Sequence, residues 1–280
     1  MLSNPLRLLL PILVAGMTAC SEIGPEITPV DDYNTVPSDT LQRVFIEEFS
    51  GVRCVNCPAG SAELAQLEAL YPDQLVIMSI HAGFFSSPYP ENRFDFRTGE
   101  GNALLNLLKQ PLGYPSAVIN RRLFEGEADL QLSRTQWAGF IAAELKRRAA
   151  YNLEIETTYL TANRQLRVDV RASRLEPIGA SPMDLRMSVF LTESDIRDVQ
   201  LTPAGKQVDY AHQHVLRKAL TPYDGVPVGE ALIGQSSVVR SFSLGMPEDW
   251  SPGECEIVAV LHRSGEEWTV LQANARKLVQ

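Results

Sequence analysis

The first half of the chain combines short apolar runs with segments that place apolar residues at helical spacing. Residues 43–49 (RVFIEEF) predict a short apolar strand with two acids near its end. Residues 74–80 (QLVIMSI) are a nearly continuous apolar run, as expected of a strand buried on both faces. Between them, residues 54–70 carry leucines on one side of a predicted helix. Two more helices and one strand are predicted further on, at residues 101–109, 131–150 and 116–120. This order of elements predicts an α/β domain over residues 42–150.

The second half of the chain has a different pattern, in which apolar and polar residues largely alternate. The alternation is regular in three segments and looser in three more: 153–160, 165–172, 183–192, 237–244, 255–262 and 268–273. Turn-forming residues separate the segments, and a period of two residues is typical of half-buried strands. We therefore predict a second domain over residues 151–280, an antiparallel β-sandwich of the immunoglobulin-like type.

Residues 1–19 have the pattern of an export signal peptide. Arg7 supplies a positive charge, and residues 8–15 form an apolar run that is too short for a membrane span of about 20 residues. The sequence Met-Thr-Ala-Cys that ends at Cys20 resembles the bacterial lipobox. This resemblance implies that Cys20 becomes the first mature residue and carries acyl chains such as palmitate, which anchor the chain to a membrane. The alternative is an ordinary cleaved signal peptide in which the cysteine is incidental.

Composition narrows the classes of function. Residues 20–41 are rich in Pro, Asp, Ser and Thr and are predicted to form a flexible linker. The net charge of -9 argues against nucleic-acid binding, because contact with phosphates needs a basic surface. The four cysteines are too few for a disulfide scaffold, so their spacing is more informative than their number. Cys255 stands alone in an apolar segment and is predicted to be a buried, inert thiol.

The C-x-x-C motif, Cys54-Val55-Asn56-Cys57, is suited to thiol–disulfide exchange. The attacking species in such exchange is a thiolate. A cysteine in the first turn of a helix meets unpaired backbone N–H groups and the positive end of the helix dipole, and both lower its pKa. Arg53 adds a positive charge beside Cys54, and Cys57 lies one turn further on, where it can resolve a mixed disulfide. We therefore expect Cys54 to be an exposed nucleophile.

The residues around this motif resemble thioredoxins. The C-x-x-C lies between a predicted strand and a predicted helix, and Pro58 follows it. Glu48 lies six residues before the first cysteine, where thioredoxins carry a buried Asp, and the sequence Gly-Tyr-Pro-Ser around Pro115 precedes a strand, where they carry a cis-proline. The resemblance implies that Glu48 relays a proton to or from Cys57. It also implies that Tyr114 presents its backbone to a substrate peptide beside a cis peptide bond.

Several features depart from this pattern and leave alternatives open. Arg53 stands where thioredoxins have an aromatic residue, and it could instead pair with Glu48 at the strand end. Val and Asn replace Gly and Pro between the cysteines, and Pro115 could be an ordinary trans residue. Residues 81–100 form an aromatic, insertion-like loop that is either packed or a substrate-facing lid.

A metal site and a permanent disulfide are the main alternatives for the C-x-x-C motif. A closed zinc site needs four ligands, so His81 and the distant Cys255 would have to converge on the motif, and we predict no metal and no cofactor. His212 and His214 would share one face of a strand, but we favour ordinary hydrogen-bonded histidines there. A structural disulfide is the stronger alternative, because an exported protein meets oxidising conditions.

The mature chain as a whole resembles the outer-membrane-protein-28-related lipoproteins of Gram-negative bacteria. The segments that carry this resemblance are 49–58, 212–217 and 256–278. It implies a lipid-anchored protein of the outer membrane, with a thioredoxin-like domain and a β-rich domain. Two functions follow as hypotheses. One is a thiol–disulfide oxidoreductase that acts on exported proteins, and the other is a non-catalytic binding or structural lipoprotein. The first requires that the sulfur of Cys54 be accessible.

Overall fold

Strands dominate the described part of the chain. The computed structural model describes residues 41–175, 184–265 and 267–279, and 41% of its residues are in strands against 19% in helices. In chain order the strands are β1 (Val44–Ser50), β2 (Leu75–His81), β3 (Ser116–Ile119), β4 (Leu132–Ser133), β5 (Tyr151–Leu160), β6 (Gln165–Arg174), β7 (Arg186–Glu193), β8 (Ile196–Thr202), β9 (Gly205–His212), β10 (Val215–Ala219), β11 (Val226–Pro227), β12 (Ser237–Gly245), β13 (Cys255–His262) and β14 (Val270–Lys277). The helices are α1 (Cys57–Leu70), α2 (Gly99–Leu107), α3 (Trp137–Glu144) and α4 (Gly229–Gly234).

One large mixed sheet forms the centre of the structure. Its strand order is β14-β13-β7-β10-β2-β1-β3-β4, and β11 pairs with β7 as the ninth strand. β1 and β2 are parallel, with Val44 opposite Leu75 and Ser50 opposite His81. Both strands are buried at every position, and α1 connects them. The strand, helix, strand order predicted for this region is therefore confirmed.

The predicted fold class is wrong. We expected an α/β thioredoxin-like domain followed by an antiparallel, immunoglobulin-like β-sandwich, but a single mixed sheet joins strands from both halves of the chain. β10 pairs in parallel with β2 through Val215 and Ser79, and β7 and β13 extend the same sheet. A strand buried at every position, such as β2, needs a neighbour on each edge, and local sequence patterns do not show which distant segment supplies it. The predicted division into residues 42–150 and 151–280 stays a prediction.

Apolar clusters fill both faces of the large sheet. α1 and α3 cover one face around Ile46, Ile77 and Trp137, and α2 covers the other around Phe45 and Met78. The three-stranded antiparallel sheet β12-β6-β5 buries its alternating apolar residues against β7 and β13 in a third cluster. The strand pattern predicted for this region is therefore confirmed. None of the helices in the described ranges is long and apolar enough to span a membrane.

Two regions differ from the predicted elements. The helix expected over residues 131–150 is shorter, because β4 and a 3₁₀ turn at Arg134–Gln136 precede α3. The segment between β7 and β10 was not predicted to contain strands, yet it forms the antiparallel pair β8–β9. This pair, called the β8–β9 hairpin below, is a separate two-stranded sheet. This hairpin contacts the cysteine motif and forms part of the candidate site described below.

Candidate functional site

Cys54 and Cys57 form a disulfide at the start of α1, with 5.4 Å between their Cα atoms. α1 begins at Cys57, not at Cys54 as predicted. Cys54 instead lies in a preceding turn, where its N–H donates to the carbonyl of Gly51 at 3.0 Å and its own carbonyl accepts from the N–H of Cys57 at 3.3 Å. Cys57, rather than Cys54, is therefore the cysteine in the first turn of the helix.

Both cysteines are buried, contrary to the expectation of an exposed Cys54. Cys54 is 2% exposed and Cys57 is 1% exposed. The β8–β9 hairpin contacts the cysteine turn directly, because the N–H of Leu201 donates to the carbonyl of Val52 at 2.8 Å. The side-chain amide of Gln200 donates to the carbonyls of Cys54 at 3.0 Å and Gly51 at 3.3 Å. An element that local patterns did not predict thus covers the motif.

Arg53, predicted to contact substrate, is held by the loop of residues 82–98. Its guanidinium donates to the carbonyls of Ser87 and Pro88, both at 2.7 Å, and lies 4.3 Å from the centre of the Tyr89 ring. The aromatic loop is therefore packed against the cysteine turn, which was the preferred of the two alternatives. A contact between Arg53 and a substrate stays a prediction.

The peptide bond between Tyr114 and Pro115 is cis, which confirms that prediction. Pro115 packs closely on α1, since a Cβ atom added to Gly60 would lie 2.8 Å from the proline Cγ. Tyr114 donates its hydroxyl to the carbonyl of Ala82 at 3.0 Å. An open groove of about 420 Å³ runs along Tyr114 and Pro115, with Gln131 in its wall. Binding of a substrate backbone in this groove stays a prediction.

Glu48 lies buried on the α1 face of β1. Burial raises the pKa of Glu48 to about 7, although the hydroxyls of Ser79 and Ser61 and the nearby His214 partly oppose the shift. Its Oε1 atom has no hydrogen-bond partner among the described residues. A cavity of about 160 Å³, which His214 also lines, lies beside the carboxyl group. A carboxyl group with this pKa can gain or lose a proton near neutral pH.

A small polar cavity lies beside Cys57, and most of its walls come from residues that sequence reasoning did not assign to the site. It measures about 10 Å³, and Ser61, His81, Tyr210 and His212 line it together with Cys57. That volume is close to the space one water molecule needs. Burial lowers the pKa of His212 to about 4 and the pKa of His81 well below its ordinary value. Both imidazoles are therefore neutral at physiological pH.

The two histidines share an aromatic cluster but do not form a metal site. The rings of His81 and His212 lie 5.5 Å apart, and Phe96 packs 4.7 Å from His212. His81 Nδ1 and His212 Nε2 have no hydrogen-bond partner within the described ranges. His214 does not join them, because it pairs with Glu68 at 3.6 Å. No three His, Cys, Asp or Glu side chains of the described residues are grouped to hold a metal ion.

The remaining predicted residues have clear positions. Cys255 is fully buried in β13 as predicted, and burial raises the pKa of its thiol to about 12. The predicted lipidation site, Cys20, lies outside the described residues. Sequence reasoning did not place Tyr210 and His212 beside Cys57, because the hairpin that carries them was not predicted. The pattern Val208-Asp-Tyr210-Ala-His212 after Gly205 does alternate enough to have suggested a strand.

Comparison with models of protein families shows to which family the chain belongs. The model of the family described as outer membrane protein Omp28 matches residues 110–280. The chain belongs to the Omp28 family. The Omp28 match contains Pro115 and the β8–β9 hairpin, whereas Cys54 and Cys57 precede it. The family resemblance stated above is thereby confirmed, but the match gives no support to a thioredoxin-like domain.

Solved structures that match with TM-scores above 0.5 share the fold at low sequence identity. HBP35 of Porphyromonas gingivalis is 14% identical with a TM-score of 0.65, over 85% of this chain and 76% of that chain. A protein of Agrobacterium tumefaciens is 11% identical with a TM-score of 0.52, over 86% of this chain and 96% of that chain. A domain of the outer membrane lipoprotein Omp28 from Porphyromonas gingivalis is 16% identical with a TM-score of 0.33, over 47% and 89% of the two chains. No curated protein matches the chain.

Proposed function

We propose that this protein is an outer-membrane lipoprotein in which the Cys54–Cys57 disulfide has a structural role. The observation that carries the proposal is the burial of both cysteines beneath the β8–β9 hairpin. Disulfide exchange requires a thiolate to approach one sulfur directly. Because Cys54 and Cys57 are at most 2% exposed, the native structure hinders this approach. The disulfide instead fixes the turn that precedes α1, on which Gln200 and Leu201 dock.

The structural role is tested by the rate at which a small dithiol reduces the native full-length chain. Dithiothreitol is added, free thiols are alkylated at intervals, and mass spectrometry measures the fraction of modified Cys54 and Cys57. We expect reduction to be much slower in the native chain than in the same chain unfolded in urea, because burial protects the sulfurs. Equal rates in the two states would contradict the proposal.

The proposed anchor is a set of acyl chains on Cys20. Support comes from the lipobox-like sequence before Cys20 and from membership of an outer-membrane family. We expect Cys20→Ser to move the protein from the outer-membrane fraction to the soluble fraction after cell lysis, since a lipid anchor requires that thiol. Cys255→Ser is the matched control and should remain with the membrane. Retention of the Cys20→Ser chain in the membrane would exclude this anchor.

Thiol–disulfide exchange with exported proteins is a second candidate function. It is favoured by Glu48, whose pKa of about 7 suits proton transfer at neutral pH, and by the packing of Pro115 against α1 beside the disulfide. In this function, Cys54 attacks or is attacked by an exported protein, and the hairpin has to move first. The test compares the rates at which dithiothreitol reduces insulin disulfides in the presence of the wild-type chain and of Cys54→Ser. Equal rates would exclude the activity.

A further inference from the structure

The β8–β9 hairpin is attached to the rest of the molecule through a small set of contacts. Its strands pair with each other in a sheet of their own, and β8 carries the bonds to the cysteine turn. β9 is exposed from Gly205 to Asp209, and Val208 is 72% exposed. The outer strand of the hairpin therefore makes little contact with the large sheet over residues 205–209, whereas the ring of His212 at its end packs 5.5 Å from that of His81 in β2.

The apolar contacts of the hairpin form a cluster separate from the three larger ones. Val52 from the cysteine turn, Phe96, Ile196 from β8 and Val215 from β10 make up this cluster. Protein segments with their own small set of contacts open at lower free energy than the whole molecule unfolds. The β8–β9 hairpin has the contact pattern of such a segment.

Polar contacts connect the hairpin to the 82–98 loop as well. Asp198 accepts hydrogen bonds from the backbone N–H groups of Arg93 and Phe94 at 3.1 and 2.9 Å. Lys206 pairs with Glu91 at 2.9 Å on the outer side. These contacts do not involve the cysteines, so they can hold the far side of the hairpin when its bonds to the cysteine turn are lost.

The bonds between the hairpin and the cysteine turn depend on the shape of that turn. Gln200 is buried, and its amide donates to the carbonyls of Gly51 and Cys54. The disulfide to Cys57 closes the turn that holds these two carbonyls. Because the same amide bonds both carbonyls, a change in the turn that separates them breaks at least one hydrogen bond. The amide also donates to the carbonyl of Leu201 at 2.9 Å, so such a change weakens the attachment of the hairpin to the turn, which these hydrogen bonds stabilise.

We infer that the β8–β9 hairpin is a redox-coupled cover, closed when the Cys54–Cys57 disulfide is intact and loosened when the disulfide is reduced. This inference rests on the structural role proposed above for the disulfide. In the reduction, a dithiol gives two electrons and two protons to the S–S bond. The bond breaks into two thiols, and the dithiol becomes a disulfide. The freed turn relaxes, and Gln200 loses its acceptors in the cysteine turn while keeping the carbonyl of Leu201.

Thermodynamic linkage makes the coupling reciprocal. If reduction favours the open hairpin, then an opened hairpin favours reduction by the same factor. Opening uncovers the disulfide together with Tyr210 and His212 from β9 and the apolar side chains of Val52 and Phe96. The open form therefore presents an apolar surface that the closed form hides. Exposure of that surface therefore depends on whether the surroundings of the protein keep the Cys54–Cys57 disulfide oxidised or reduced.

Hydrogen exchange of the full-length chain tests whether reduction of the disulfide loosens the hairpin. Backbone amides of β8 and β9 are compared between the oxidised chain and the same chain reduced with dithiothreitol. We expect roughly tenfold faster exchange in β8 and β9 after reduction, the factor associated with loss of buried hydrogen bonds. The amides of β5 and β6, which lie in another sheet, should not change. Equal exchange of β8 and β9 in the two redox states would overturn the inference.

A matched pair of variants tests whether loosening of the hairpin makes the disulfide easier to reduce. Gln200→Met removes the amide donor and keeps a similar volume, whereas Gln207→Met changes the exposed residue opposite Gln200 in the hairpin. We expect dithiothreitol to reduce the Gln200→Met chain roughly tenfold faster than wild type, and the Gln207→Met chain within about twofold of wild type. Equal rates for Gln200→Met and wild type would overturn the coupling.

The two proposals fail in distinguishable ways. Fast reduction of the native wild-type chain, equal to that in urea, would contradict the structural role of the disulfide. Hydrogen exchange of β8 and β9 in the oxidised and reduced chains would still decide whether the hairpin is coupled to the disulfide. Slow reduction of the wild-type chain with unchanged hairpin exchange would support the structural role and overturn the coupling.

Discussion

The two faces of strand β1 accommodate neighbouring glutamates in different ways. Glu47 lies on the α2 face, where the guanidinium of Arg121 donates to both of its carboxylate oxygens at 2.8 and 2.7 Å. Both side chains are fully buried. Glu48 lies on the α1 face, where it meets hydroxyl groups and no cation this close, and one of its oxygens has no partner among the described residues. One carboxylate is balanced by a cation, whereas the other keeps its proton up to about pH 7.

This difference separates a structural region from a functional one. A bidentate ion pair between buried groups has one low-energy arrangement and no free site for chemistry. The α1 face instead collects three side chains, Glu48, His81 and His212, each with a buried atom that lacks a partner in the described ranges, whereas Arg121 leaves its Nη1 atom without one but binds Glu47 through Nε and Nη2. Buried polar groups left unpaired are uncommon in native proteins and call for an explanation. Their position beside Cys57 makes the α1 face the better candidate for function.

Breaking the ion pair should give the largest effect. Arg121→Met leaves the carboxylate of Glu47 buried without a counter-charge, and we expect the free energy of unfolding to fall by about 3–5 kcal/mol. Denaturation in urea measures the loss. The double variant Glu47→Gln, Arg121→Met removes both charges and should recover a large part of the stability. A loss below about 1 kcal/mol in the single variant would show that the pair is not desolvated.

Replacing Glu48 should raise the free energy of unfolding rather than lower it, and the size of the effect should depend on pH. The pKa of Glu48 is raised from 4.5 to about 7 in the folded chain, chiefly by burial. Between these values the folded chain binds more protons than the unfolded chain, so the free energy of unfolding falls as pH rises through this window and then levels off. Glu48→Gln abolishes the fall, and at pH 8 the variant should be more stable than wild type by on the order of 3 kcal/mol.

The control for this experiment is Glu68→Gln, since Glu68 lies on α1 and lines the same cavity as Glu48. Hydrogen bonding to His214 lowers the pKa of the Glu68 carboxyl. The stability it contributes is present above its unfolded pKa and is lost as the pH falls through its folded pKa, the reverse of Glu48. Glu68→Gln should therefore be less stable than wild type at pH 8. Parallel pH profiles for Glu48→Gln and wild type would contradict the assignment of a raised pKa to Glu48.

Removing the disulfide should have an intermediate effect. The double variant Cys54→Ser, Cys57→Ser opens a very short loop, for which loss of the chain constraint corresponds to about 2 kcal/mol of unfolding free energy. Urea denaturation of the oxidised wild-type chain and of the variant measures the difference. An unchanged free energy of unfolding would show that the disulfide does not stabilise the cysteine turn.

The smallest effect is expected at an exposed ion pair that matches the buried one. Arg97 pairs with Asp95 at 2.6 Å, but the two side chains are 41% and 45% exposed. We expect Arg97→Met to change the unfolding free energy by less than about 1 kcal/mol, because solvent screens the charges. An effect comparable to that of Arg121→Met would show that burial is not what distinguishes the two pairs.

Much of the local structure was predictable from the order of residues. The segment of β2 is a nearly continuous apolar run, that of β1 is apolar with two acids near its end, and β6 alternates with period two. The cis bond before Pro115 followed from a local resemblance. The start of α1 was misplaced, because the hydrogen bond from Cys54 to Gly51 closes a turn that residue preferences do not reveal. The hairpin was missed because β8 alternates irregularly and the alternation in β9 is confined to residues 208–212.

Long-range contacts set the properties that matter for function. Periodicity depends on neighbouring residues, so the identity of the cysteine motif, its place before a helix and the apolar strands around it were accessible in advance. The burial of Cys54 was not, because Gln200 covers it from 146 positions away. The charge balance of Glu47 likewise depends on Arg121, 74 positions along the chain. Accessibility and desolvation arise from packing between distant segments, and they decide whether a reactive pair of cysteines can react.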